Sequence, residues 1–102
     1  MAQAKIDVPT PKIADFCLQH RIRELALFGS VLRQDFGPKS DVDILIDFEP
    51  GVDEKLTLLD LVGIQNELSE IMQHNVDLVL KDGLKPFIRE EVLNNSAVIY
   101  AL

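Results

Sequence analysis

The sequence predicts an α+β fold, a small mixed β-sheet with helices packed on one face. Three observations carry that expectation. Short apolar runs with strand character are separated by segments of helical spacing. The run Val42 to Phe48 alternates, with Val42, Ile44, Ile46 and Phe48 on one face and Asp41, Asp43, Leu45 and Asp47 on the other. The link from the first strand to the second, Gly29 to Asp41, is near the lower limit for a crossover joining parallel strands. A mixed sheet is therefore favoured over a doubly wound one. With 102 residues, the expectation is one small domain spanning 1–102.

In chain order, Thr10-Pro11 reads as a helix cap followed by proline in the first turn. Ile13, Phe16, Cys17 and His20 then fall on one face of a short helix, with His20 a cation near its C-terminal dipole. Glu24 to Phe28 is a short apolar strand bounded by Gly29, and a short helix is expected from near Ser30. Gly37 to Ser40 reads as a turn before the strand Val42–Phe48. Thr57 and Asp60 form a helix start related to the capping box. Leu58, Leu61, Val62, Gln65, Leu68 and Met72 continue it with helical spacing. Asn75 to Leu80 reads as a third strand, with Asp77 and Val79 on the face opposite Val76, Leu78 and Leu80. Pro86 opens a last helix carrying Phe87, Ile88, Val92 and Leu93, and Ala97 to Tyr100 fits either a strand or a docked tail.

Composition narrows the function. The formal charge of -7 disfavours binding to a phosphate backbone, which needs Lys and Arg in excess. It favours a cation ligand, a basic partner or plain solubility. Apolar residues make up 47% of the chain, so a core is available and some apolar helix face is expected to remain for a partner. Cys17 has no internal disulfide partner, which fits a reducing cytoplasmic setting. No secretory h-region and no apolar run of ~18 residues is seen, so no membrane span is expected.

The chemistry is concentrated between Phe28 and Phe48. Asp41 and Asp43 project from one strand face, roughly 6.5–7 Å apart along the strand. Two ionised carboxylates that close repel, unless a divalent cation keeps both charged. Mg²⁺ suits hard oxygen ligands and is usually held by one or two carboxylates plus substrate phosphates. Gly29 lets backbone approach a ligand, and the N–H groups that follow can hold an anion, with the Ser30 hydroxyl as a further donor. Arg33, one turn on, is placed to reach the same phosphates. If the third strand lies beside the second, Asp77 joins the Asp41/Asp43 face, with a second metal and a general base for an attacking hydroxyl as consequences. Taken singly, Asp-x-Asp reads as a solvated strand edge, Gly-Ser as an ordinary turn and Arg33 as a surface cation. An isolated Asp inside an apolar strand is stranger, because an unpaired buried carboxylate is costly.

Gly29-Ser30, Arg33 and Ser40-Asp41-x-Asp43 together resemble the G-S-x-x-R … S-D-x-D pattern of the nucleotidyltransferase superfamily, with its DNA polymerase β-like fold. More narrowly, the chain resembles the minimal nucleotidyltransferases, the MNT or MntA-type antitoxins paired with HEPN toxins. The resemblance covers nearly the whole chain, including LDLVGIQNEL, NVDLVLKDGLKP and IREEVL. It implies metal-dependent transfer of AMP from ATP, with pyrophosphate released, to a tyrosine hydroxyl of a HEPN toxin. Asp41, Asp43 and Asp77 are then the catalytic and metal-holding carboxylates, with two Mg²⁺ ions expected. Gly29, Ser30, Arg33 and Ser40 are the implied nucleotide-binding residues.

Gln34 departs from the pattern where many relatives carry a second glycine. No second domain for the acceptor is seen, which favours a protein partner. Two alternatives stay open: a non-catalytic module that masks the toxin, and transfer to a small-molecule acceptor. Homo- or hetero-oligomer formation is left open as well.

Overall fold

The computed structural model describes residues 8–32 and 41–101. The elements are helix α1 (Thr10–His20), strand β1 (Ile22–Phe28), strand β2 (Val42–Phe48), helix α2 (Leu58–Met72), strand β3 (Val76–Leu80), helix α3 (Pro86–Asn94) and strand β4 (Ala97–Ala101). Short 3₁₀ turns at Gly29–Leu32, Asp53–Lys55 and Lys81–Gly83 join them. Ser40, Arg33, Gln34 and the turn Gly37 to Ser40 lie outside the described residues.

The strands form one sheet of order β3-β2-β1-β4. β1 runs antiparallel to both β2 and β4, whereas β2 and β3 are parallel. Each connection type follows from its length. The short link from β1 to β2 returns antiparallel. The link from β2 to β3 contains the 15-residue helix α2, long enough for the crossover that a parallel pair requires. The tail left undecided by its sequence is a strand, β4, whose residues pair with β1 from Glu24 to Leu27.

α1 and α2 pack on one face of the sheet. Ile13, Phe16 and Cys17 from α1 and Ile64, Leu68 and Met72 from α2 meet Leu25, Leu27, Val42, Ile44 and Ile46 in one apolar cluster. Burial pushes the Cys17 thiol up to about 12, so it stays protonated as a small core residue. No residue of α3 is buried, and Phe87 is 79% exposed. The apolar character of that helix therefore contributes little to the core.

Three local expectations are corrected. Thr10 is the first residue of α1 and not its cap: Pro9 occupies the cap position without a side-chain bond, while the Thr10 hydroxyl donates to the Val8 carbonyl. β1 begins two residues before Glu24, at Ile22, because pairing with β2 extends it. On α2 the buried stripe is Ile64, Leu68 and Met72, whereas Leu58 and Val62 face outward. Leu61 of the same turns packs against the core, so the buried stripe is rotated from the one that periodicity alone assigns.

The start of α2 is as expected. The Thr57 side chain accepts from the Asp60 N–H at 3.2 Å, and the Asp60 carboxylate accepts from the Thr57 N–H at 2.9 Å. His20 ends α1, packs against Phe16 with ring centroids 4.7 Å apart and the rings tilted by 54°, and lies 3.3 Å from both Glu67 carboxylate oxygens. That position ties α1 to α2 and gives His20 a structural task.

Candidate active site

Strand alternation divides β2 between the core and the opposite face of the sheet. Val42, Ile44, Ile46 and Phe48 enter the core, which sends Asp43, Leu45 and Asp47 the other way. Asp77 alternates out of β3 in the same sense, between Val76 and Leu78. The parallel register pairs Asp43 with Asp77 across neighbouring strands, so both carboxylates stand on one face at the same level. Asp41 precedes β2 by one residue and shares the alternation of Asp43.

Gly29 fits against this pair. It follows β1, whose last residue Phe28 is the register partner of Asp43. Its φ is +72°, a left-handed conformation that residues with a Cβ adopt at a cost. A Cβ on Gly29 would overlap Oδ2 of Asp43 and lie 3.1 Å from its Cγ. The missing side chain is therefore the space in which the Asp43 carboxylate sits against backbone. Ser30 follows in the 3₁₀ turn Gly29–Leu32, where the chain leaves the sheet.

A cleft of about 420 Å³ opens beside the carboxylates. Asp41 and Asp77 line it together with Gln65, Asn66 and Ser69 of α2 and with Asn75. Among the described residues its lining is amides, a hydroxyl, carboxylates and Val76. Among the described residues, no three His, Cys, Asp or Glu side chains gather closely enough to hold a metal ion between them. The carboxylates Asp41, Asp43 and Asp77 thus offer a partial set of hard oxygens. That fits Mg²⁺, which completes its coordination with substrate phosphates and water. The Gly29 cradle, which leaves Asp43 room against backbone, fits the same ligand pair of metal and phosphate.

At the other end of the same face is a second charged group. Asp47 is 6% exposed and accepts from Arg23 Nε at 2.7 Å. Lys81 Nζ lies 3.4 Å from Glu24 Oε1 and 3.9 Å from Asp47 Oδ2. The hydrogen bond to Asp47 and the charge of that carboxylate hold the Arg23 guanidinium above its ordinary pKa. Sequence reading placed Asp47 on the Asp43 face and missed its partners, because Arg23 and Lys81 come from other elements. It also missed Asn66, Ser69 and Asn75. Gln65 did carry a signal: it is the one polar residue on the apolar stripe read along α2.

Similarity to known proteins identifies the family. A model of the nucleotidyltransferase domain matches residues 11–99. Protein adenylyltransferase MntA of Thermococcus cleftensis is 39% identical over 79 residues, which span 78% of this chain and 74% of that protein. A solved structure provisionally described as a minimal nucleotidyltransferase is 33% identical, with a TM-score of 0.68 and 85% of each chain covered. The same fold recurs in the complex of a tri-AMPylated Shewanella oneidensis HEPN toxin with its MNT antitoxin, at a TM-score of 0.64 and 18% identity over 91% of this chain and 70% of that one. The chain therefore belongs to the nucleotidyltransferase family, in its minimal, MntA-type branch, whose relatives are named protein adenylyltransferases.

Proposed function

We propose that this protein transfers AMP from ATP to a tyrosine hydroxyl of a HEPN-type toxin and thereby acts as its antitoxin. The observation that carries the reading is the pairing of Asp43 with Asp77 on one sheet face, with Gly29 cleared of side chain beside Asp43. In the transfer, the acceptor oxygen bonds to the α-phosphorus and the bond from that phosphorus to the α,β-bridging oxygen breaks. Pyrophosphate leaves, and the hydroxyl proton passes to a carboxylate.

Each residue has one task in this reading. Gly29 and Ser30 hold the triphosphate by backbone N–H groups, with Arg33 and Ser40 as further contacts. Asp41 and Asp43 hold Mg²⁺, which when bound neutralises charge on the phosphates and in the transition state. Asp77, across the register from Asp43, stands on the acceptor side and takes the proton. The named activity of the MntA relative supports AMP as the transferred group. The tri-AMPylated HEPN toxin supports the acceptor class.

The masking alternative draws support from one observation. Leu58, Leu59 and Phe87 are 77%, 82% and 79% exposed, which leaves apolar surface for a partner. One experiment separates the readings. The chain is incubated with a candidate HEPN-type partner, ATP and Mg²⁺, and the partner is weighed by intact-mass spectrometry. A gain of AMP increments that vanishes with Tyr→Phe at the acceptor supports transfer. A bound but unmodified partner favours masking, and modification of added small molecules instead would favour the third alternative.

A further inference from the structure

Among the described residues β3 is an edge strand, with β2 on one of its sides. In such a strand the N–H groups of Val76 and Leu78 point away from the sheet, toward no neighbouring strand. α2 answers both. The Val76 N–H donates to Ser69 Oγ at 3.0 Å, and the Leu78 N–H donates to Gln65 Oε1 at 3.1 Å. Ser69 Oγ in turn donates to the Gln65 carbonyl at 2.9 Å, so its hydroxyl is fixed in direction and the two acceptors belong to adjacent turns of one helix. Val76 and Asp77 lie between the two anchored amides, and the Leu78 amide is the one directly after the Asp77 Cα.

We propose that Gln65 and Ser69 are positioning residues for Asp77. Gln65 fastens to α2 the peptide that follows the Asp77 Cα, Ser69 fastens the peptide that precedes Val76, and together they set the direction in which the Asp77 carboxylate meets the acceptor hydroxyl. Both side chains also line the cleft that contains Asp77 and Asp41, so the fastening lies within the site and not on a remote edge. An edge strand held only by β2 would be free to twist, and a shift of about 1 Å in a reacting group can cost on the order of 10²-fold in rate. The stripe of α2 that packs on the core is apolar apart from these residues, which accounts for a glutamine at an inward position.

The inference rests on the proposed transfer reaction, and its test keeps the two apart. AMP transfer is measured by intact mass for the wild type, Gln65→Leu, Ser69→Ala, Ser69→Thr, Asp77→Asn and the double variant Gln65→Leu/Asp77→Asn, with thermal melts on all. Gln65→Leu and Ser69→Ala should lower kcat roughly 10- to 100-fold and leave KM for ATP near the wild-type value. Ser69→Thr, which keeps the hydroxyl, should restore the rate. Adding Gln65→Leu to Asp77→Asn should cost little more than Asp77→Asn alone, because both act through one carboxylate.

An equal loss in both backgrounds would make Gln65 a general packing residue and overturn the inference. Wild-type rates in Gln65→Leu and Ser69→Ala beside a dead Asp77→Asn would overturn it too, with the transfer reaction left standing. Should Gln65→Leu fail to fold, the Ser69→Ala and Ser69→Thr pair decides. A wild type that never transfers AMP overturns the reaction and this inference with it.

Discussion

Gly29 couples backbone conformation to the chemistry of a side chain on another strand. Its φ of +72° and its contact with Asp43 are independent obstacles to any larger residue. Gly29→Ala should cost about 1–2 kcal/mol from the left-handed conformation alone, a fall in Tm of several degrees for a domain this size. The displaced Asp43 carboxylate should lower AMP transfer on the order of 10²-fold. A thermal melt and a transfer assay on one preparation check both, and full activity would show that Asp43 needs no such space.

Cys17 gives a residue-scale prediction with a sign. Its folded pKa of about 12 lies above the ordinary value of 9.0, so the folded state holds the proton more tightly than the unfolded chain. Stability from this group is fully present below pH 9 and is lost as pH climbs from 9 toward 12. Cys17→Ala should be less stable than wild type at neutral pH through lost packing, but its stability should fall less steeply in that alkaline window. Denaturant melts at stepped pH measure the slopes.

At the level of elements, helix ends and strand edges set the local stability. The capping box of α2 satisfies two end groups with Thr57 and Asp60, neither of which lines the cleft beside Asp41 and Asp77. Thr57→Ala should cost about 1 kcal/mol, read as a Tm drop of roughly 4–8 °C. AMP transfer below the melting transition should be untouched, and a transfer defect in the folded variant would mean the start of α2 has a further role.

The pairing of β1 with β2 contains a different asymmetry. Asp47 is 6% exposed and Arg23 is half-exposed. Arg23→Met leaves a buried carboxylate with only Lys81, at 3.9 Å. Asp47→Asn leaves a guanidinium that water can reach and an oxygen that still accepts from it. Arg23→Met should therefore lower Tm more than Asp47→Asn, and the reverse order in parallel melts would refute this account.

For the whole molecule, the sheet serves two purposes on its two faces. One carries the core with α1 and α2, and the other carries Asp43 and Asp77. The carboxylates can thus be changed without opening the core. Mg²⁺ with ATP should raise Tm, by about 2.7 kcal/mol of added stability when ligand is at 100 times its Kd. EDTA should abolish the shift. Asp43→Asn keeps the shape and removes a charge, so its melt without ligand should be no lower than wild type, and it should still bind the partner. Its transfer rate should fall about 10³-fold or more, several kcal/mol of lost transition-state stabilisation. Toxin neutralisation by Asp43→Asn equal to wild type, at equal expression, would leave masking as the function.

The sequence by itself determined the elements other than β4 and the choice of face within β2 and β3. Alternation through Val42–Phe48 and through Val76–Leu80 is a local property of an extended chain, and it separates Asp43 and Asp77 from the core before any neighbour is known. The short link from Gly29 to Asp41 likewise favoured a mixed sheet, while the parallel pairing of β2 with β3 became known only from the structure. Tertiary structure alone decided the rest, because register, edge contacts and cross-element pairs depend on residues far apart in the chain. It set Asp43 level with Asp77, pressed Gly29 against Asp43, joined Arg23 and Lys81 to Asp47, and turned Leu58 and Val62 of α2 outward. It also gave Gln65 its reason: an amide on an apolar stripe is a misfit in the helix, and only the unpaired edge of β3 supplies the donor that it accepts from.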